Sequence, residues 1–446
     1  MNKFRSLNIR KIQFSSDLHS IRLFSATSAS YDKFKCKALV VGGGTAGCSI
    51  AAKLASVFGK NECIILEPAN DHYYQPMFTM IGGGMKTLSQ VRRSMASVLP
   101  KKAKWIQDAA VRFDPDDNEV ITKQGHIISY ELLIIAVGLQ LCYGKIPGLE
   151  EALSIPNGNV TSIYSPKYVD RHLNALNRFE NGNIIFTFPA SPVKCPGAPQ
   201  KICYITEHFL RKTKKREQAH IMYNSSLPTI FGCKAYADAL WKVANGRSIE
   251  VNLKTNLIEV HGDKNVAVFA SMDNPNEKKS IEYSILHAVP PQSPPQVLLE
   301  SKHLTNEAGF VDVDKATMQH VKYPNVFALG DCASSPNSKT MAAIAGQVGV
   351  LNKNIESFLK GKPLRSEYDG YASCPLVTGY DSCILAEFDY NLQPKETFPF
   401  RQDVERYSMF LMKRDFMPFL YWHLMLNGWW NGPASFRKLF SLFKRN

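Results

Sequence analysis

Short apolar runs that break into glycine, each followed by a stretch with helical spacing, set the rhythm of this chain. Residues 36–58, CKALVVGGGTAGCSIAAKLASVF, start with a β-branched run, turn at Gly42–Gly44 and continue with small and apolar residues at helical intervals. That pattern predicts a strand, a tight turn and a helix. ECIILEPANDHYYQP then supplies a second buried strand ending at Glu67, which completes the order and length of a βαβ unit. A third apolar run ends in IIAVG at Gly138. A fresh series follows: a helical stretch near YVDRHLNALNRF, the strand NIIFTF, the helix KICYITEHFLRK, the strand AHIMYN, and the strands KNVAVFAS and SIEYSILHAV. The prolines of VPPQSPPQV (289–297) read as a return linker, after which GFVDVD and YPNVFALGDC resume the style of the first unit. The expectation is an α/β protein with two Rossmann-like dinucleotide-binding domains, the second inserted in the first: 36–150 and 298–380 for the first domain and 151–297 for the second.

The two ends differ in character. Residues 1–35 carry Arg5, Arg10, Lys11 and Arg22 among serines and scattered apolar residues, with few acids, as in a cleaved mitochondrial presequence. In the tail, 381–446, the 21 residues between Asp415 and Arg437 contain no Asp, Glu, Lys or Arg, but Pro418, Asn427, Gly428, Asn431, Gly432 and Pro433 interrupt them. A spanning helix is not predicted. Aromatics beside Lys413, Arg414, Arg437, Lys438, Lys444 and Arg445 instead suggest short amphipathic helices in a lipid interface, with the basic groups at anionic head groups; a core or dimer element is the alternative.

With 446 residues, 45% of them hydrophobic, the chain can form two cores and an appendage. Its formal charge of +14 points to an acidic partner without choosing among an anionic membrane, an anionic substrate and nucleic acid. Much of the surplus lies in the presequence and tail, which disfavours a nucleic-acid-binding role. The ten cysteines show no metal-ligand spacing, so no metal is expected.

GGGTAG places Gly42, Gly44 and Gly47 in the G-x-G-x-x-G order that cradles a pyrophosphate at a helix N-terminus, with Glu67 about 20 residues on to bind a ribose hydroxyl. Asp331 ends a strand in Gly-Asp and can accept a hydrogen bond from a ribityl chain, so the dinucleotide read here is FAD. The second domain departs from its own pattern. Where a nicotinamide-binding loop should follow NIIFTF stands PASPVKCPGAP, and a thiol at Cys195 can reduce a flavin directly. Oxidising a sulfur substrate needs a second thiol, which YDGYASCPLVTGY offers at Cys374. The other eight cysteines read as inert thiols, and His72 and His208 as structural residues. Lys194, adjacent to Cys195, carries little weight as its activator because neighbours on an extended segment point apart.

With VVGGG, EPANDHYYQP, IFTFPASPVKCPGAPQK, YPNVFALGDC, YDGYASCPLVTGY, ILAEFDY and LMKRDFMPFLYW, the sequence resembles the eukaryotic mitochondrial sulfide:quinone oxidoreductases over nearly everything after residue 36. The resemblance places this chain among the two-dinucleotide-binding-domain disulfide oxidoreductase flavoproteins. It implies FAD contacts at Gly43, Gly44, Glu67 and Gln75, Ala110 near the adenine, and Asp331 with Lys339, Thr340, Met341 and Ala342 around the ribityl chain and ring. It further implies that Cys195 and Cys374 form a redox pair, bridged at rest by a disulfide or an extra sulfur. Hydrogen sulfide would leave a persulfide on Cys374, Cys195 would reduce the flavin, the sulfur would pass to glutathione, sulfite or cyanide, and electrons would reach ubiquinone at the inner membrane. A type II NADH:quinone oxidoreductase shares this architecture but needs the missing nicotinamide loop.

Overall fold

The computed structural model describes residues 32–441. Lys444, Arg445 and almost all of the expected presequence therefore lie outside the described residues. Strand β1 (Lys33–Val41) nevertheless begins inside that segment, with Lys33 in register with Ile127. The run Ala38–Val41 is buried on both faces, as a central parallel strand requires. Helix α1 (Thr45–Phe58), β2 (Cys63–Leu66), β3 (Lys104–Ile106), β4 (Ala110–Asp114), β5 (Glu119–Thr122) and β6 (Ile127–Ile135) follow.

The chain then passes to β7 (Val160–Thr161), β8 (Gly182–Phe188), α2 (Ala198–Lys212), β9 (Ala219–Ser225) and β10 (Glu250–Asn252). An antiparallel ribbon of β11 (Thr255–His261), β12 (Val266–Ser271) and β13 (Lys278–Glu282) precedes β14 (Ile285–His287). It returns through β15 (Val326–Ala328), which pairs parallel with β6. The first sheet thus runs β3-β2-β1-β6-β5-β4 with β15 against β6, and the second runs β7-β14-β8-β9-β10. The crossing points are zipped together, since Gln140–Leu141 pairs antiparallel with Gln292–Ser293. This junction lies before the residue-150 boundary read from sequence, which falls inside the helix Leu149–Ser154.

After helix α3 (Met341–Leu359), strands β16 (Ala372–Val377) and β17 (Cys383–Phe388) form a hairpin, with Cys374 opposite Ala386. The expected boundary at 380/381 cuts this hairpin at its turn: its two strands pair, so the tail proper begins later. It does so in a helical run over 407–425 that alternates α and π turns. One face of the run is core, with Met409, Phe410, Tyr421, Trp422 and Met425 buried; the other exposes Tyr407, Phe416 and Phe419. Helix α4 (Ala434–Ser441) ends the described chain. Among the described residues no helix is long and apolar enough to cross a membrane.

The head-group expectation fails for Lys413, and two other basic groups of the tail have partners within the chain. Lys413 is 2% exposed and turned inward, Arg414 pairs with Asp415, and Arg437 stacks over the Tyr371 ring. An apolar stripe on the tail helix packs against the protein and carries Lys413 with it, a consequence of packing that charge spacing alone does not register.

Candidate active site

The loop after β1 turns at Gly42, which has φ 105°; a Cβ there would fall 2.5 Å from the Ala136 carbonyl oxygen, so only glycine fits. Gly44 precedes α1 without a capping side chain, and a Cβ on it would project into open space. The free N–H groups of the first helical turn therefore face a channel suited to an anion. At the end of β2 the Glu67 carboxylate accepts from the Gly43 N–H at 2.6 Å and the Ala69 N–H at 2.7 Å. Its remaining lone pairs are free for hydroxyl donors.

From this end a cleft of about 310 Å³ runs past Gln75 to Asp331, Lys339, Thr340, Met341 and Ala342, and finishes at Cys195 and Cys374. Three of the residues singled out in the sequence stand back from its lining. Gly43 anchors Glu67, Gly47 packs against the Gly42 carbonyl, and Ala110 opens β4 opposite Thr122. Burial raises the Asp331 carboxyl above its ordinary range, against Lys339 and Lys194, and it accepts no hydrogen bond from the described residues. Lys339 instead ties its own loop together, donating to the Ala333 and Ser335 carbonyls at 2.6 and 3.0 Å. The Thr340 hydroxyl caps α3 by accepting from the Ala343 N–H at 3.2 Å, so the helix presents its positive end, with Met341 and Ala342, to the cleft. A glycine-lined anion channel, two carboxylates lining the cleft and a helix N-terminus at its far end fit a flavin dinucleotide.

At the sulfur end, β8 leads into residues 189–197 and then α2. Cys195 adopts φ 50°, a left-handed conformation that costs a non-glycine residue on the order of 1–3 kcal/mol. Three hydrogen bonds hold it there: its N–H to the Lys339 carbonyl at 2.7 Å, and its carbonyl to the Ala198 N–H at 2.9 Å and the Tyr164 hydroxyl at 3.2 Å. The first fastens a loop of the second domain onto the first. Cys374 projects from β16 into the same space, and both thiols are free.

Two buried lysines complete the site: Lys201, passed over in the sequence, and Lys413, expected there at lipid head groups. Lys201 on α2 places Nζ 3.2 Å from the Cys195 sulfur. The hydrogen bond from Cys374, and then the Lys201 charge, hold the Cys195 thiol well below its ordinary range despite burial. The same contact, with burial, pushes Cys374 up. Burial draws the Lys201 ammonium down, but Cys195 and Cys374 more than offset it and the net shift is upward. Lys413, reaching in from the tail helix, is pushed down to about 8 by burial and then by Lys201. Such charges cost several kcal/mol each to bury and persist where anions meet them. Lys194 also lines the cleft; burial lowers it, and the larger opposing effect comes from Asp331, ahead of Cys195. A lysine in the first apolar turn of α2 was the available signal for Lys201. His72 bridges the Gly43 carbonyl and Tyr421, and His208 sits beside Tyr380 and Asp381.

A family model described as pyridine nucleotide-disulphide oxidoreductase matches residues 36–171. The mitochondrial sulfide:quinone oxidoreductase of Mus musculus is 51% identical over 91% of this chain and 89% of its own length. That of Dictyostelium discoideum is 40% identical over 90% and 88%. The chain belongs to the sulfide:quinone oxidoreductase family. A crystal structure of the sulfide:quinone oxidoreductase from Aquifex aeolicus shares the fold, with a TM-score of 0.75 at 19% identity over 92% of this chain and 96% of that one. The protein is thus a flavin-dependent oxidoreductase of the sulfide:quinone class.

A second, largely apolar cavity of about 280 Å³ lies on the other side of β16. Tyr371 lines it and not the cleft, whereas Cys374 lines the cleft and not this cavity, three positions apart and so on opposite sides of an extended chain. Met341, Ala342, Ser373 and Met417 border both.

Proposed function

We propose that this oxidoreductase holds FAD in the cleft, oxidises hydrogen sulfide at the Cys195/Cys374 pair and delivers the electrons to ubiquinone in the apolar cavity. The observation that carries the reading is the meeting of a loop thiol and a strand thiol beside two buried ammonium groups, at the end of a dinucleotide-shaped cleft. Gly42, Gly44, Glu67 and Gln75 would hold the dinucleotide, Asp331 the ribityl chain and the N-terminus of α3 the ring. When bound, the flavin accepts two electrons from a thiolate and passes them to a quinone.

The chain's own part begins from the bridged pair. Hydrosulfide, drawn in by Lys201 and Lys413, attacks the Cys374 sulfur; the S–S bond breaks, leaving a Cys374 persulfide and a Cys195 thiolate that Lys201 stabilises. A small nucleophile such as glutathione, sulfite or cyanide takes the outer sulfur and leaves the Cys374 thiol. The pair closes again by surrendering two electrons to the cofactor and a proton to solvent.

Phe416 and Phe436 border the apolar cavity and are 55% and 48% exposed, beside Phe419, Trp429 and Leu439 at 55%, 75% and 50%. This aromatic surface supports docking on the mitochondrial inner membrane, with a lipid-borne quinone entering the cavity directly. Sulfide-dependent reduction of decyl-ubiquinone by Cys195→Ser and Cys374→Ser variants tests the thiol assignment. Each variant should lose turnover while retaining flavin; normal turnover in either removes that cysteine from the mechanism.

A further inference from the structure

Two-electron reduction of a quinone takes up two protons, and an apolar cavity offers few groups that can give them. One polar cluster is built into its wall. Glu387 on β17 is 3% exposed, and its carboxylate accepts four hydrogen bonds. Oε1 accepts from the Tyr371 hydroxyl at 2.5 Å and the Thr397 hydroxyl at 2.8 Å, and Oε2 from the Thr397 N–H and the Gln402 side chain, both at 2.7 Å. Four donors around one carboxyl is the pattern of an ionised group. Yet no Lys or Arg among the described residues forms an ion pair with it. The nearby cation, Arg437 on α4, stacks over the Tyr371 ring at 4.6 Å and donates to the Thr397 hydroxyl at 3.5 Å. Its Nε is buried without a partner.

A carboxylate held in an apolar wall by hydrogen bonds but without an ion pair costs stability and contributes nothing to gripping an apolar ring. Its position is chemically specific, because Tyr371 and Glu387 both border the cavity. Tyr371 keeps its proton until a strong base stands beside it, since burial and then the Glu387 charge hold the phenol well above its ordinary range.

We propose that Tyr371 and Glu387 are the proton donor to the quinone. As two electrons arrive from sulfide oxidation, the Tyr371 O–H bond breaks and its proton forms the O–H bond on the quinone oxygen facing β16. Glu387 relays a proton from water at the cavity mouth, beside Arg437, to restore Tyr371. The second quinone oxygen takes its proton from solvent. This proposal rests on reading the apolar cavity as the quinone site.

Anaerobic rapid mixing of the flavin-loaded enzyme tests it. In Tyr371→Phe and Glu387→Gln, flavin reduction by sulfide should proceed as in the parent, while reoxidation by decyl-ubiquinone slows about 100-fold. Ferricenium, which accepts an electron and no proton, should reoxidise both variants at the parental rate. Decyl-ubiquinone should bind oxidised Tyr371→Phe unchanged, read by quenching of tryptophan fluorescence. Parental reoxidation by decyl-ubiquinone in both variants, parallel slowing with ferricenium, or lost quinone binding would each overturn the assignment. Met412→Trp, which narrows the cavity from the tail helix, should block decyl-ubiquinone alone. If it does not, the cavity reading itself fails; if it does while Tyr371→Phe behaves as the parent, only the proton donor falls.

Discussion

Replacing Lys201 by methionine isolates the electrostatic core of the site. The substitution keeps most of the buried volume, removes the ammonium and abolishes the 3.2 Å contact with the Cys195 sulfur. At that separation, with an effective dielectric constant of about 20, the Coulomb attraction between ammonium and thiolate is on the order of 5 kcal/mol. Part of it is offset, because methionine also relieves the burial of a charge. Charge-assisted hydrogen bonds removed by mutation typically cost about 1.5–3 kcal/mol, so the Cys195 thiol should move up toward its ordinary range in the variant.

The assay is the pH dependence of iodoacetamide alkylation, followed at Cys195 by peptide mapping. The buried thiols interfere little: burial pushes Cys36, Cys63 and Cys383 up to about 12 and Cys332 to about 11. The inflection should move upward in Lys201→Met and return in Lys201→Arg, and the rate of flavin reduction by sulfide should fall with the thiolate fraction. An unshifted alkylation profile in Lys201→Met would refute the argument, since the thiolate would then owe nothing to the lysine.

Other consequences are as direct. A Cβ at Gly197 would lie 2.5 Å from the Cys374 sulfur, while its φ of −80° suits any residue; Gly197→Ala should therefore fold, keep flavin and lose sulfide-dependent flavin reduction by displacing that thiol. Lys413, pushed down to about 8, is charged below that pH and neutral above it, so the rate constant for hydrosulfide attack should drop as pH rises through about 8. Lys413→Met should start low and show no such drop in rapid-mixing measurements across pH 7 to 9. Removing the carboxylate that Gly43 and Ala69 hold, in Glu67→Ala, should weaken FAD binding about 10- to 100-fold, measured by equilibrium release of fluorescent flavin.

What could be read in advance follows from locality. Continuous β-branched runs flanked by glycine specify buried parallel strands through nearest-neighbour chemistry, so β1, β2, β6 and β8 are legible. The alternation that sends Tyr371 and Cys374 to opposite sides of β16 is equally a sequence property. Lys201 and Lys413 were not legible in the same way. Each looks like an ordinary basic residue, and its burial depends on contacts between segments more than 170 positions apart. The membrane reading of the tail captured its exposed aromatic face but could not separate Lys413 from it. Charge patterns report which residues avoid oil, and they do not report which were carried inward to meet a thiolate.

The loop after β8 shows how one connection can redirect a whole fold. In a dinucleotide-binding domain this position presents backbone N–H groups to phosphates, and glycines make that approach possible. Here prolines remove donors, and the helix that follows directs a lysine at a sulfur instead of an N-terminus at an anion. The backbone of Cys195 is spent on a hydrogen bond to Lys339 in the first domain, which brings the thiol to the far end of the dinucleotide cleft. Restoring a glycine-rich loop would release that bond and the strained φ together. On the proposed reading, the entry of electrons through sulfur and the docking of the two domains are set by the same few residues, and a change in one cannot leave the other untouched.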